Sequence, residues 1–254
     1  MRGRPDGRER VMVGIPAFNE GRRIEDTVRR VLRQGVTSVL VVDDGSTDAT
    51  ASVLDRLARE HSALAVLHQP NRGYGATHKV LLDAFLDSDA EWFVLIHGDG
   101  QHVPEEIDLL LQALREGADV VLGSRALGDM LAGGMPLYKY VGNRVLTFLE
   151  NGVFGTDISS FHCGFKACHR GAALAVPYRE LTDGFHFDGA FLVASCKTGL
   201  KLAQVPVTTI YHADGTSHLR PIPYLFEVLR FMVSSPWTGG RRIDPHRTHP
   251  EPPR

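Results

Sequence analysis

Trp92-Phe93-Val94-Leu95-Ile96-His97-Gly98-Asp99-Gly100-Gln101-His102 is an apolar run that stops at a cluster of polar side chains. Its first half reads as a buried strand. Val103-Pro104-Glu105-Glu106 comes next and reads as a helix start, with Pro in the first turn. A carboxylate, an amide and two imidazoles therefore stand where a strand ends. In an open α/β sheet that edge is where ligands bind. Hard divalent cations prefer oxygen ligands and bridge phosphates. Asp99 and Gln101 carry such oxygens, and His97 adds a nitrogen suited to a manganese-like ion. A polar βα loop without metal is the plainer reading of the same residues.

Working outward, the same rhythm repeats on both sides. Val11 to Pro16 is a first strand, and Glu20 to Arg33 a helix with Ile24, Val28, Val31 and Leu32 on one face. Val39 to Val42 is a second strand, followed directly by Asp43-Asp44-Gly45-Ser46-Thr47-Asp48 and a helix from about Ala49 to Glu60. Leu64 to Leu67 is a third strand, and Asn71 to Ala76 a glycine-bearing turn into another helix. Beyond the opening stretch, Ile107, Leu110, Leu111 and Leu114 line a helix closed by Gly117, and Asp119 to Leu122 form a fifth strand ending at Gly123-Ser124-Arg125. Strands alternating with helices at this spacing predict βαβ units and a doubly wound, mostly parallel α/β sheet.

After Arg125 the rhythm changes. Ala126 to Pro136 is a loop without a clear period. Leu137 to Phe148 is predicted helical, with Tyr138, Val141, Val145 and Phe148 roughly in phase. Phe185 to Thr198 reads as a helix, Leu202 to Tyr211 as a strand, and Pro221 to Val233 as an amphipathic stretch carrying Tyr224, Leu225, Phe226, Leu229 and Phe231. One domain spans about 10–238, its first half running to residue 125, between ends at 1–9 and 239–254 that read as disordered.

Composition limits the function classes. The chain has 254 residues, 43% of them hydrophobic, and a formal net charge of -2. No global basic field recruits nucleic acid. Three cysteines (Cys163, Cys168 and Cys196) show no paired metal spacing and suit a reducing compartment. The polar, basic start is not a signal peptide, and no apolar run reaches the ~20 residues a spanning helix needs. The expected place is the cytoplasm, at the inner face of the membrane if Tyr224 to Trp237 rests on a lipid surface. A helix packed on the domain is the other reading of that stretch.

Phe18-Asn19-Glu20, Asp43-Asp44-Gly45-Ser46 and His97-Gly98-Asp99-Gly100-Gln101 lie at three strand ends that share one sheet edge. Acidic groups there fit a nucleotide whose diphosphate is held through a metal, since carboxylates alone would repel it. No G-x-G-x-x-G opens a helix, and there is no G-x-x-x-x-G-K-[ST] or G-x-S-x-G, so dinucleotide, P-loop and esterase folds are unsupported.

The order VGIPAFNE, VVDDGSTDAT, NRGYGATHKV, HGDGQH, LGSR, CGFK and FHFD resembles the family 2 glycosyltransferases of GT-A fold, most of all the dolichyl- and polyprenyl-phosphate mannose or glucose synthases. The resemblance covers roughly Val11 to Tyr224. It implies that Pro16, Phe18, Glu20, Asp43, Asp44, Gly75 and Gly98 line the nucleotide-sugar pocket. It implies that Asp99 and Gln101, with His97, ligate Mg2+ or Mn2+ bridging the diphosphate. Arg125 would meet phosphate, Lys139 stands where the family often has a second Arg for the acceptor phosphate, and Asp188 would lie near the transferred sugar or the acceptor. The implied reaction is inverting transfer from GDP-mannose or a UDP-sugar to a lipid phosphate.

Several positions depart from the pattern. His97 replaces the usual first aspartate of the metal motif, Ser160 and Cys163 stand where Asp and Ser are common, and Lys166 replaces an Arg whose bidentate fork Lys lacks. These departures, and the absence of transmembrane helices carried by longer members, keep a soluble saccharide or natural-product hydroxyl open as acceptor. Asp188 is then the candidate base. A non-catalytic nucleotide-sugar binder is the reading from another class, and metal-dependent turnover separates it from an enzyme. A nucleotidyltransferase would need a basic, Gly-rich N-terminal loop, which Gly14-Ile15-Pro16 is not. Asp43 and Asp44 have a plain alternative as caps of the next helix. Arg125 and Lys139 have one as solvated charges. Cys163 has no base placed beside it by spacing and reads as structural. His162, His186, His212 and His218 read individually as packed or surface histidines. The last two flank a loop, Asp214 to Ser217, that would close over the site.

Overall fold

A computed structural model of the chain describes residues 9–128, 134–211 and 221–237. The loop carrying His212, Asp214 and His218, and the terminal segments 1–8 and 239–254, lie outside the described residues. Glu9, assigned above to the N-terminal tail, is described and pairs with Arg115 at 2.7 Å.

One seven-stranded sheet organises the molecule, in the order β3-β2-β1-β4-β6-β5-β7. The strands are β1 (Val11–Ala17), β2 (Ser38–Asp43), β3 (Leu64–His68), β4 (Trp92–Leu95), β5 (Val120–Ser124), β6 (Lys166–His169) and β7 (Leu202–Pro206). The helices are α1 (Ile24–Arg33), α2 (Thr50–Glu60), α3 (Tyr74–Asp87), α4 (Ile107–Arg115), α5 (Leu137–Phe154), α6 (Arg170–Ala175), α7 (Phe187–Lys197) and α8 (Pro221–Ser234). The central strands are near-continuous Val, Ile and Leu because helices cover both faces, as buried parallel strands require. Ile24, Val28 and Val31 of α1 are fully buried, as their spacing predicted, and so are Leu54 and Leu57 of α2.

The expected sheet is interrupted once. β6 runs antiparallel to both β4 and β5, and it separates them. Neither β6 nor α6 was legible in the sequence: Lys166-Ala167-Cys168-His169 is short and carries a charge at its start. The consequence is spatial. β1, β2, β4 and β5 end on one edge of the sheet, and the antiparallel β6 begins there, with Lys166 registered against Leu95 and Leu122.

The second half differs from its sequence reading in a second way. α5 runs past Phe148 to Phe154, and its in-phase apolar residues face outward: Val141, Val145 and Phe148 are 50%, 52% and 77% exposed. The buried side of α5 is Thr147, Glu150 and Phe154. α8 packs inward through Tyr224, Val228 and Met232 while Ile222, Phe226 and Val233 stay exposed. Among the described residues no helix is long and apolar enough to cross a membrane.

Candidate active site

The strand-end loops are laced together by backbone bonds. Asn19, in the left-handed region at φ 57°, accepts Thr47 N–H on its side-chain oxygen at 2.8 Å, and its own N–H donates to Ser46 Oγ at 2.9 Å. Glu20 N–H donates to Thr50 Oγ1 and Gly21 N–H to Asp48, at 2.8 and 3.0 Å. The loops after β1 and β2 therefore form one surface, which positions Pro16, Phe18 and Glu20 beside Asp43 and Asp44.

Asp43 and Asp44 are buried, and neither caps α2. Asp43 accepts Ser46 N–H at 3.1 Å and lies 2.9 Å from His68 Nδ1. Asp44 accepts Gln69 Nε2 at 2.7 Å, Arg72 N–H at 2.8 Å and Gly73 N–H at 3.0 Å. The second carboxylate thus ties β2 to the turn entering α3. Asp44→Ala leaves three donors without their acceptor and costs about 3 kcal/mol, read as a lower urea midpoint at unchanged slope. Gly75, expected at the nucleotide, is packed closely against the segment around Asp183. Its N–H donates to Asp183 carbonyl at 2.8 Å, and a Cβ there would overlap the Thr182 carbonyl.

Across this surface lies the loop after β4. Gly98 N–H donates to Pro16 carbonyl at 3.3 Å, which seats it against β1. Asp99 accepts Gln101 N–H at 3.0 Å and stands half-buried. Burial, and then the nearby charge of Asp99, push the Glu20 carboxyl up to about 8. Crowded carboxylate oxygens of this kind are relieved by a cation, and with Gln101 the donor set is the oxygen type Mg2+ and Mn2+ prefer. The residues present fit the expected ion.

His97 also faces a second group. Its Nε2 is 2.8 Å from Tyr74 Oη, and it offers a ligand atom within 4.8 Å of those of His78 and Asp188, while the charge of Asp99 also acts on its ring. A side chain at Gly164 would overlap the His97 ring, so the glycine two residues before Lys166 is what admits the imidazole. Asp188 hydrogen-bonds to both Lys166 Nζ and Tyr74 Oη. Burial alone would raise the Asp188 carboxyl, but Lys166, then His78 and His97, hold it far below the usual carboxylate range. Burial lowers His78 and takes His97 down to about 4, and it raises the Tyr74 phenol. Tyr74, His78 and Lys166 were not singled out as members of this centre. β6 would have revealed Lys166, and the helical phase of α3 puts Tyr74 and His78 one turn apart.

Arg125 follows β5 and donates to Tyr211 Oη at 2.9 Å. Lys139 stands in the first turn of α5. Cys163, read as lacking a base by spacing, lies beside His102 and Arg125. Burial would raise its thiol, but His102 and Arg125 bring it down to about 6.

The family model described as Glycosyl transferase family 2 matches residues 12–175. The undecaprenyl-phosphate mannosyltransferase of Micrococcus luteus is 28% identical over 241 residues, covering 91% of this chain and 98% of that protein. The UDP-N-acetylglucosamine–dolichyl-phosphate N-acetylglucosaminyltransferase of Methanococcus voltae is 28% identical over 214 residues, 78% and 84% of the two chains. Glucosyl-3-phosphoglycerate synthase from Mycobacterium tuberculosis, solved with Mn2+, uridine diphosphate and glucosyl-3-phosphoglycerate, matches at a TM-score of 0.61 and 20% identity over 89% of this chain and 77% of that one. That likeness is one of fold. The chain belongs to glycosyl transferase family 2 and is a glycosyltransferase of GT-A fold.

Proposed function

We propose that this glycosyltransferase moves a sugar, with inversion, from a nucleoside diphosphate sugar (GDP-mannose or a UDP-sugar) to a polyprenyl-phosphate-type acceptor. The observation that carries this reading is the state of Asp188. A hydroxyl acceptor needs a base whose pKa lies near the working pH. Asp188 is already bound to Lys166 and held far too acidic for that task, and His97 at about 4 is no better. A phosphate acceptor is ionised at neutral pH and needs no base. Asp188 then orients the Lys166 ammonium, and Lys166, Arg125 and Lys139 supply positive charge to phosphate.

On the donor side, Pro16, Phe18 and Glu20 line the nucleotide pocket, whose loops Asp43 and Asp44 brace. Asp99 and Gln101 hold Mg2+ or Mn2+. When bound, that ion neutralises charge on the departing diphosphate. The exposed apolar sides of α5 and α8, with Arg144 and Arg230 exposed on the same helices, suit peripheral contact with an anionic bilayer that carries the acceptor.

The experiment is an acceptor comparison in vesicles. Polyprenyl phosphate is used at least about a hundredfold better than the matching polyprenol, because the alcohol offers no anion to the Lys166, Arg125 and Lys139 charges. Phe148→Ser with Phe226→Ser lowers transfer to the membrane-borne acceptor and spares a short, water-soluble prenyl phosphate. Equal use of polyprenol and its phosphate would overturn the reading.

A further inference from the structure

Two groups of three residues among those described bring metal-ligating atoms within 4.8 Å of one another: His78, His97 and Asp188, and separately Glu150, His162 and His186. The first already holds a cation, the Lys166 ammonium on Asp188. The second holds none. Glu150, on α5, has a fully buried side chain, and its ion partners among the described residues are the two imidazoles alone, with His162 Nε2 at 3.2 Å and His186 Nε2 at 3.3 Å. Neither contact is aligned as a hydrogen bond, so both carboxylate oxygens and both Nε2 atoms are buried without a bonded partner. Buried polar atoms left in that state need an explanation.

We propose that Glu150, His162 and His186 form a binding site for a divalent transition-metal cation of the zinc class, distinct from the site at Asp99. Two imidazoles and one carboxylate are an established zinc donor set, leaving a fourth position for water. Each carboxylate oxygen faces one imidazole, Oε2 at 3.2 Å from His162 Nε2 and Oε1 at 3.3 Å from His186 Nε2, and one ligand atom from each residue lies within 4.8 Å of the others, so small side-chain rotations bring all three onto one ion. Tyr224 Oη of α8 bonds to His162 Nδ1. With the Tyr224 oxygen accepting from Nδ1–H, the tautomer in which ligating histidines are held through the other ring nitrogen, the lone pair is on Nε2. A Cβ at Gly189 would overlap the His186 ring, so a glycine makes room for it. The ligands come from α5, from the loop before β6 and from the residue capping α7, while Tyr224 brings in α8. One ion would therefore fasten the outer helices to the start of α7, two residues from Asp188.

The test uses the full-length protein stripped with a strong chelator. It binds about one Zn2+ per chain, with a raised melting temperature. Co2+ in its place gives the intense visible bands of a four-coordinate ion. His162→Gln and Glu150→Gln each lose the Zn2+ and the bands, Tyr224→Phe weakens binding about tenfold, and Asp99→Asn keeps both. No Zn2+ binding by the stripped wild-type protein would overturn the proposal. So would the faint bands of six-coordinate Co2+, or binding that follows Asp99 rather than His162. The wild-type measurements stand whether or not a variant folds, and none depends on sugar transfer.

Discussion

Asp99→Ala abolishes sugar transfer, lowering kcat by about a thousandfold or more, and leaves the fold intact. The two halves of this expectation have separate physical grounds. Asp99 is half-buried, and its one named bond is to Gln101 N–H within its own turn, so removing it costs about 1 kcal/mol. Part of that is returned, because Asp99 is a like charge that helps push Glu20 up to about 8. The catalytic half rests on charge: without Asp99 the loop lacks the carboxylate proposed to hold a divalent ion. The measurements are kcat with and without excess chelator, and the melting temperature of wild type and variant. Wild-type turnover that survives the chelator would refute the metal role. A variant that loses activity only by unfolding would move Asp99 from chemistry to architecture.

The parts of this molecule that were legible in the sequence are those where one period governs a long segment. β1, β2, β4 and β5 announce themselves as apolar runs, and α1 and α2 as helices with a single inward face. The polar residues following those runs had to converge, because parallel strands end on one edge. The illegible parts are where tertiary context overrides the local pattern. Lys166-Ala167-Cys168-His169 has no strand signature and becomes one by filling the gap between β4 and β5. α5 is harder still: the periodic apolar residues Val141, Val145 and Phe148 are its exposed side, and the side toward the domain carries Glu150. A helix whose buried stripe contains a carboxylate violates the usual pattern, and such violations mark functional positions. His97 shows the same limit at the scale of one residue. Its place in the metal motif was plain, yet its partner is Tyr74, a residue on a different element.

Lys166→Met destabilises the protein by about 3–5 kcal/mol, because it strands Asp188 as a buried charge whose strongest partner is gone. Asp188→Asn is destabilising for the same reason, since it strands the buried Lys166 ammonium, although the Tyr74 hydroxyl and an amide still have complementary groups. The double variant Lys166→Met with Asp188→Asn recovers most of the lost stability, as replacing both members of a buried pair commonly does. It does not recover transfer, because the ammonium proposed to meet phosphate is absent. That divergence separates the pair's structural worth from its chemical one. The pH dependence carries a definite sign. The folded protein holds Asp188 well below its unfolded value, so the stability it contributes is complete above the unfolded carboxylate pKa of about 3.9. That stability drains away as the pH falls below this value. Wild-type urea midpoints should therefore decline more steeply than those of the double variant as the pH falls below about 4. Parallel declines would mean that Asp188 titrates normally, would restore it as a candidate base, and would reopen the hydroxyl acceptor.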